Sequence, residues 1–475
     1  MALDLVVIHP GGARAIYQQL ADEFTAVEPP LWARIIAGWL RNRGYGVAII
    51  DQEAEGLGHV EVAQRVANLG PRFTAIVVAG HQPSASTQQM TGASLLAGSL
   101  PGSVIMVGPH PSALPERTLR EDNVSCVCDG EGPWTLAGLL DGKPLAHVPG
   151  LVWWECDSVV TNPRAALLPI DELTGDVWDL LPMDRYRAHN WQCFDGSPRA
   201  PYASIHTSLG CSFKCSFCMI NVFQHTNRYR MRSAESVVAE IGMLYSKYGV
   251  RTFKIADEMF VLNDRHVREI CEGLAAKPFA EEISIWAYAR VDTVKAEQLP
   301  LLRDAGIRWL ALGIESGSAH VRDGAEKHLD ETNIVEVVRA IQAAGINVLG
   351  NYIFGLPDDT MATMQATLHL AKDLNCEFAN FYSAMAYPGS RLFDAAEPGD
   401  LPARWSSYSQ HSRDCTPLGT ATLTAADVLR FRDDAFHEYF ASSRYREMAL
   451  SRFGSKALAQ VDAMAAHRLE RDLLA

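Results

Sequence analysis

Three cysteines set close together, Cys211, Cys215 and Cys218, are the residues of this chain best suited to chemistry. They stand as C-x3-C-x2-C, with an aromatic residue, Phe217, directly before the last. Three thiolates at this spacing can ligate three irons of a [4Fe–4S] cube and leave the fourth iron without a protein ligand, open to bind and reduce a small molecule. Two blander readings compete: three buried thiols, or a zinc knuckle. Zinc takes four protein ligands, commonly as two spaced pairs, and no fourth cysteine or histidine follows here in that rhythm.

The cysteines must be positioned by a scaffold, and the pattern around them is a βα repeat. Short apolar runs at 203–207, 252–256, 284–288, 309–313, 348–354 and 378–384 alternate with helix patterns at 234–248, 263–276, 295–305, 333–344 and 360–374. This predicts a partial (β/α)6 barrel, in which reactive groups collect where the strands end. The cysteines follow the first strand. Asp257 and Glu258 follow the second, Arg290 the third, and Glu315 the fourth, within Gly313-Ile314-Glu315-Ser316-Gly317. Ile353 and Gly355 end the fifth, and Tyr387 the sixth. Taken singly, each has an ordinary explanation, such as an acid at a helix N-terminus or a turn glycine. Their order at successive strand ends is what argues for a site.

Residues 1–150 show a second α/β pattern. Continuous Val/Ile-rich runs at 4–9, 47–51, 75–80, 104–108 and 125–129 alternate with helix patterns at 30–43, 60–69, 86–100 and 133–140. This is the signature of a doubly wound, Rossmann-like parallel sheet, which binds ligands beyond its carboxyl edge. Four loops on that edge are rich in glycine and proline. They are His9-Pro10-Gly11-Gly12, Gly80-His81-Gln82-Pro83, Gly108-Pro109-His110-Pro111 and Asp129-Gly130-Glu131-Gly132.

The cysteine loop and the strand-end residues behind it resemble the radical S-adenosylmethionine superfamily. With Gly108-Pro109-His110-Pro111-Ser112-Ala113-Leu114-Pro115-Glu116, Asp129-Gly130-Glu131-Gly132 and Glu28-Pro29-Pro30, the likeness is to its cobalamin-dependent branch and spans residues 1–395. The resemblance implies three cofactors: a [4Fe–4S] cluster, S-adenosylmethionine and cobalamin. It implies that Asp257 and Glu258, with Phe260 two residues on, receive the ammonium of S-adenosylmethionine. Arg290 would pair a carboxylate, Glu315 would bind the ribose, and Phe217, Ile353 and Gly355 would lie along the adenine, with Tyr387 at the last strand end. Cobalamin would be held by Pro10, Gly11, Glu28, Gly80, His81, Gln82, Gly108, Pro109, His110, Gly130, Glu131 and Gly132. One departure matters. The D-x-H-x-x-G motif, whose histidine ligates cobalt, is absent. Its nearest match, Asp51-Gln52-Glu53-Ala54-Glu55-Gly56, has glutamate in place of histidine and reads as chance. Cobalt without a protein histidine is the expectation.

The activity so implied is methyl transfer from S-adenosylmethionine, by way of cobalt, to an unactivated carbon (or phosphorus) of a small natural product or peptide. The electrons would come from a donor such as a flavodoxin or ferredoxin. Two other readings stay open: a cobalamin-dependent radical enzyme without methylation, of oxidative or tetrapyrrole-cyclase type, and a non-catalytic cobalamin-binding protein. A methylthiotransferase is disfavoured, because the additional cysteines of that group and its C-terminal RNA-binding barrel have no counterpart here.

Length and composition agree with a multi-domain globular protein. At 475 residues the chain is expected to divide into 1–150, a linker at 151–200 rich in Trp, Pro and Asp, the barrel at 201–396, and a small helical domain at 397–475. Apolar content is 48% and charged content 21%, and the net charge of −14 argues against nucleic acid or an anionic membrane as partner. The other cysteines show no disulfide spacing, which fits a reducing, cytoplasmic compartment. The N-terminus reads as a first strand and not as a leader peptide.

Overall fold

The computed structural model describes residues 3–80, 85–329 and 333–475. The first sheet contains β1 (Leu5–His9), β2 (Val47–Asp51), β3 (Phe73–Val77), β4 (Val104–Val107) and β5 (Cys126–Cys128), all parallel, in the order β2-β1-β3-β4-β5. Helices cover both faces, so the strands read as unbroken apolar runs. Two more strands, β6 (Leu151–Glu155) and β7 (Ser158–Thr161), extend the sheet antiparallel beyond β5. They fall at the start of the stretch expected as linker, which therefore begins with a hairpin. The turn escaped notice because Cys156, not glycine, takes the left-handed conformation, at φ 53°.

The helix Leu31–Arg41 has ten of its eleven residues buried, because it is sandwiched between this sheet and the rest of the chain. Arg34 reaches across, donating to the carbonyls of Gly175 (3.0 Å) and Ser204 (2.8 Å) while lying over the Trp178 ring. A Cβ on Gly38 would stand 3.2 Å from the Gly175 Cα, so glycine at both positions lets the two backbones touch.

The second sheet begins with β8 (Tyr202–Ile205). A short antiparallel pair follows, β9 (Ser208–Leu209) with β10 (Arg230–Met231). Then come β11 (Thr252–Ile255), β12 (Ser284–Arg290), β13 (Ile307–Glu315), β14 (Asn347–Phe354) and β15 (Phe378–Ser383). Six of these run parallel in the order β8-β11-β12-β13-β14-β15, a barrel left open between its first and last strands, as expected. Trp191, from the segment before β8, packs at the strand starts against Trp286, Trp309 and Phe378, and the Gln192 amide donates to the Phe253 carbonyl at 3.0 Å.

The C-terminal segment is helical, with Ala425–Ala441 and Ser443–Ala466. Thr424 and Asp427 form a capping box at the first helix, and Ser442 caps the second. Tyr439 and Tyr445 anchor them by donating to the carbonyls of Cys376 and Glu377 at the edge of β15. The segments on either side of them reach back to the short helix after β1. Ser409 donates to the Ile16 carbonyl, and Gln18 donates to the carbonyls of His411 and Glu470. Among the described residues, no helix is long and apolar enough to cross a membrane.

Candidate functional site

Pairing of β9 with β10 pinches off the loop that carries the three cysteines. Gly210 opens this loop at φ 90°, where a Cβ would strike the Arg228 carbonyl oxygen at 2.2 Å. The two acids after β11 separate in role. Asp257 is buried and fully occupied, accepting from the Thr207 amide (2.6 Å), the Thr207 hydroxyl (2.5 Å) and the Ser208 hydroxyl (2.6 Å). It braces the base of the loop and has no free face for a ligand, contrary to the expectation that it meets an ammonium. Glu258 accepts from the Gly210 amide (3.0 Å) and keeps accessible surface. Burial pushes its carboxyl up to about 7, so a cation placed against it would hold it ionised.

Burial also pushes the thiols up, Cys211 to about 11 and Cys218 to about 12. Lys327 pulls all three down again. Cys218 keeps accessible surface, so its sulfur is open to a ligand. Among the described residues no three His, Cys, Asp or Glu side chains converge as one mononuclear ion requires. A cube takes its thiolates on three separate irons and needs no such convergence. Three thiols on one pinned loop, under a buried cation, therefore fit the cluster.

Lys327 is itself held by Glu315 at 2.9 Å, both residues being buried. Glu315 sits at φ 63°, a left-handed strain that a glutamate adopts at a cost of order 1–3 kcal/mol. Arg290 lies over Phe213, its Cζ 3.8 Å from the ring centroid, and points NH1 at the Cys215 sulfur, also at 3.8 Å. Phe217 and Ile353 meet in one apolar cluster with Val321, Ala325, Leu356 and Ala384, a wall suited to a flat apolar group. Gly355, at φ 80°, is needed because a Cβ would stand 2.5 Å from Val428 of the C-terminal segment. Tyr387 does not join that wall. It is buried beside Tyr408 and Met385, with its hydroxyl between the Gln88 amide and the Tyr408 carbonyl.

On the first sheet the structure redistributes the expected contacts. His81 and Gln82 lie outside the described residues. His110 is buried, with Nδ1 3.2 Å from the Thr87 hydroxyl and its ring edge-on to Trp405. Burial drives its pKa down to about 3, and this packed ring is not presented to a ligand. Gly80, Gly108 and Gly132 serve packing: their Cβ atoms would meet Ala85 (2.4 Å), the Val78 carbonyl (2.1 Å) and Val107 (2.8 Å). Pro109, beside them, is buried as the first residue of a short helix. Gly11, next to buried Pro10, donates to the Gln52 amide oxygen at 3.0 Å. The Glu53 carboxylate accepts from the amides of Gly12 and Ala13, so the stretch set aside as chance shapes the β1 loop. The β1 loop, the stretch after β2 and the helix Ala85–Ser99 line an open cavity of about 310 Å³, with Gly11, Gly12, Gln52, Gln88, Gly92 and Ser409 among its walls.

Two acids expected to hold cobalamin, Glu28 and Glu131, and their neighbour Asp129 instead join the two halves. Glu28 pairs with Lys254 (3.2 Å) and accepts from the Tyr202 hydroxyl (2.8 Å). Glu131 pairs with Arg230. Asp129 pairs with His225 (2.6 Å) and Arg164 (2.8 Å), while Gly130 faces the Phe223 carbonyl. Burial raises the Glu131 carboxyl, with Arg230 opposing, whereas His225 and Arg164 carry Asp129 below the usual carboxylate range. None of these partners carries a local signature in the sequence, because each meets its acid only across the fold. The same holds for Lys327. Tyr17 of the first half and Tyr382 of β15 were also missed. Both keep accessible surface, and burial first, then Tyr17, raises the Tyr382 phenol.

Residues 205–371 match the family model described as the Radical SAM superfamily, and residues 17–140 match the B12 binding domain. An uncharacterized methyltransferase of Pyrococcus horikoshii is 31% identical over 394 residues, covering 80% of this chain and 82% of that protein. An anaerobic magnesium-protoporphyrin IX monomethyl ester cyclase of Rubrivivax gelatinosus is 27% identical over 419 residues, 83% of this chain and 70% of the relative. The radical S-adenosylmethionine methyltransferase TsrM of Kitasatospora setae, solved with cobalamin and a [4Fe–4S] cluster bound, superposes with a TM-score of 0.68 at 16% identity, over 98% of this chain and 100% of that one. The cobalamin-dependent radical enzyme OxsB gives 0.66 at 15% identity, over 97% and 72%. At these identities the structural likeness is one of fold.

Proposed function

The chain belongs to the cobalamin-dependent radical S-adenosylmethionine enzymes, and on that premise we propose that it moves a methyl group from S-adenosylmethionine, by way of cobalamin, to an unactivated carbon or a phosphorus of a small molecule or peptide. The observation that carries this reading is the joining of the two halves at their strand ends. The loop after β5 docks on the loop that carries the cysteines, through Asp129–His225 and Glu131–Arg230. When bound, the cluster supplies the electron that cleaves S-adenosylmethionine, and cobalamin supplies the methyl carrier.

The chain's own residues divide the remaining work. Cys211, Cys215 and Cys218 hold the cluster. Glu258 receives the ammonium of S-adenosylmethionine, Glu315 its ribose, and Phe217 with Ile353 its adenine. Gly11, Gly12, Gln52, Gln88 and Ser409 offer cobalamin a concave edge on the first half. Tyr17 and Tyr382, near enough to interact across the two halves, would meet the substrate, which residues 397–475 close in and shield from water in this reading. We assign the cobalamin unit to 1–150, extended by the hairpin of β6 and β7, and the cluster unit to 201–396. The reductant in this reading is a flavodoxin or ferredoxin.

Reaction with the true substrate is expected to form S-adenosylhomocysteine and 5′-deoxyadenosine in comparable amounts, with methyl label in the product, as chromatography and mass analysis would read. Deoxyadenosine alone would favour a non-methylating radical reaction, the alternative that the cyclase relative supports. Homocysteine product alone would point to polar methyl transfer. A second expectation concerns cobalt. His110 is packed away and D-x-H-x-x-G is absent, so the paramagnetic resonance of the Co(II) form should show no nitrogen splitting on its axial lines. A three-line nitrogen pattern lost in His81→Ala would overturn it.

A further inference from the structure

Arg290 was expected to clamp a carboxylate, but its guanidinium is already committed. Nε and NH2 donate to the two oxygens of Asp292 at 2.8 and 3.0 Å, and NH2 also donates to the His328 carbonyl at 2.7 Å. The side chain is 3% exposed and its face is covered by Phe213. A bidentate grip on a ligand needs two parallel N–H groups on one edge, and no such edge is free. What remains is NH1, directed at the Cys215 sulfur at 3.8 Å. Phe213 belongs to the cysteine loop itself, between Cys211 and Cys215, so ring and guanidinium hold one another against that sulfur.

We infer that Arg290 is a positioning residue for the cluster: fixed by Asp292, Phe213 and the His328 carbonyl, it donates a hydrogen bond to the ligating Cys215 sulfur and raises the cluster's reduction potential. Reduction adds negative charge to the cube and its thiolates. A buried cation and a hydrogen bond at a ligating sulfur both favour that state. Lys327 acts on the same thiols from the Glu315 side, but its charge is shared with that carboxylate at 2.9 Å.

This inference rests on the assignment of Cys211, Cys215 and Cys218 as cluster ligands, and its test separates the two. The reconstituted protein, free of S-adenosylmethionine, is reduced stepwise and the reduced cluster followed by paramagnetic resonance. Absence of iron from the parent protein would remove the cluster assignment itself. With iron present, Arg290→Gln should disfavour reduction at least tenfold, a shift of 59 mV to more negative potential for one electron. Arg290→Lys, which keeps the charge without the planar fork, should recover part of that shift. If Arg290→Gln does not retain the cluster, Arg290→Lys becomes the deciding variant: a potential more negative than the parent's supports the inference, and one equal to the parent's overturns it. A potential unchanged in both variants, with S-adenosylmethionine binding weakened instead, would overturn the inference and return Arg290 to the carboxylate.

Discussion

Replacing Cys211, Cys215 and Cys218 together by alanine is expected to abolish bound iron, the visible sulfur-to-iron absorption and all cleavage of S-adenosylmethionine, while cobalamin still binds. The loop is built by bonds that do not involve the thiols. β9 pairs with β10, Asp257 ties Thr207 and Ser208, and the Ser216 amide donates to the Ala325 carbonyl. Alanine at the three positions should therefore remove ligands and leave the scaffold. The protein without cluster carries thiols whose protons are hard to remove, as the upward shifts of Cys211 and Cys218 indicate. Metal displaces those protons, so cluster binding and thiol ionisation are linked, and without sulfur nothing remains to hold iron. The cavity bounded by Gly11, Gln52 and Gly92 lies on the other half and contains none of these residues. Full iron content in the triple variant, measured anaerobically, would sink the cluster assignment. Loss of cobalamin binding as well would show that the halves are not independent.

Much of this architecture was legible in the residues because buried parallel strands write themselves plainly. Every strand of both parallel sheets overlaps a short run expected as a strand, Val/Ile-rich in the first sheet and mixed apolar and aromatic in the second, and the cysteine spacing lies within one loop, where sequence distance is spatial distance. The hairpin of β6 and β7 was lost in the linker because its turn uses Cys156 where a glycine would have marked it. The site was harder to read for a different reason. A motif names which residues gather but not how they share contacts. Asp257 and Glu258 are adjacent, yet one is consumed by Thr207 and Ser208 and the other stays accessible. Gly108 looks like a ligand-approach glycine, yet it answers to the Val78 carbonyl. The acids of the first half find partners a hundred residues or more away by sequence distance, or nearly so, as Glu131 with Arg230 and Glu28 with Lys254. Such pairs leave no local signature.

The pair of Glu28 with Lys254 makes the second large prediction. Lys254 is 3% exposed, and among the described residues Glu28 is its one ion-pair partner, at 3.2 Å. Burial lowers the Lys254 pKa, and Glu28 opposes that shift. Glu28→Ala would strand a buried ammonium and leave the Tyr202 hydroxyl without its acceptor, at a cost of about 3–5 kcal/mol in unfolding free energy. Replacing both, as Glu28→Met with Lys254→Met, should recover most of that loss, since two apolar side chains of similar volume leave no charge to bury. The deficit of Glu28→Ala should also depend on pH. A lysine whose folded pKa lies below its unfolded value makes the unfolded chain bind more protons between the two, so stability rises with pH through that window. The penalty should therefore be full near neutrality and shrink as pH climbs toward the ordinary lysine value. Denaturant unfolding across that range measures it. If Glu28 instead touched cobalamin, Glu28→Gln would weaken cobalamin binding while unfolding stayed at the parent level, and the double replacement would not restore binding.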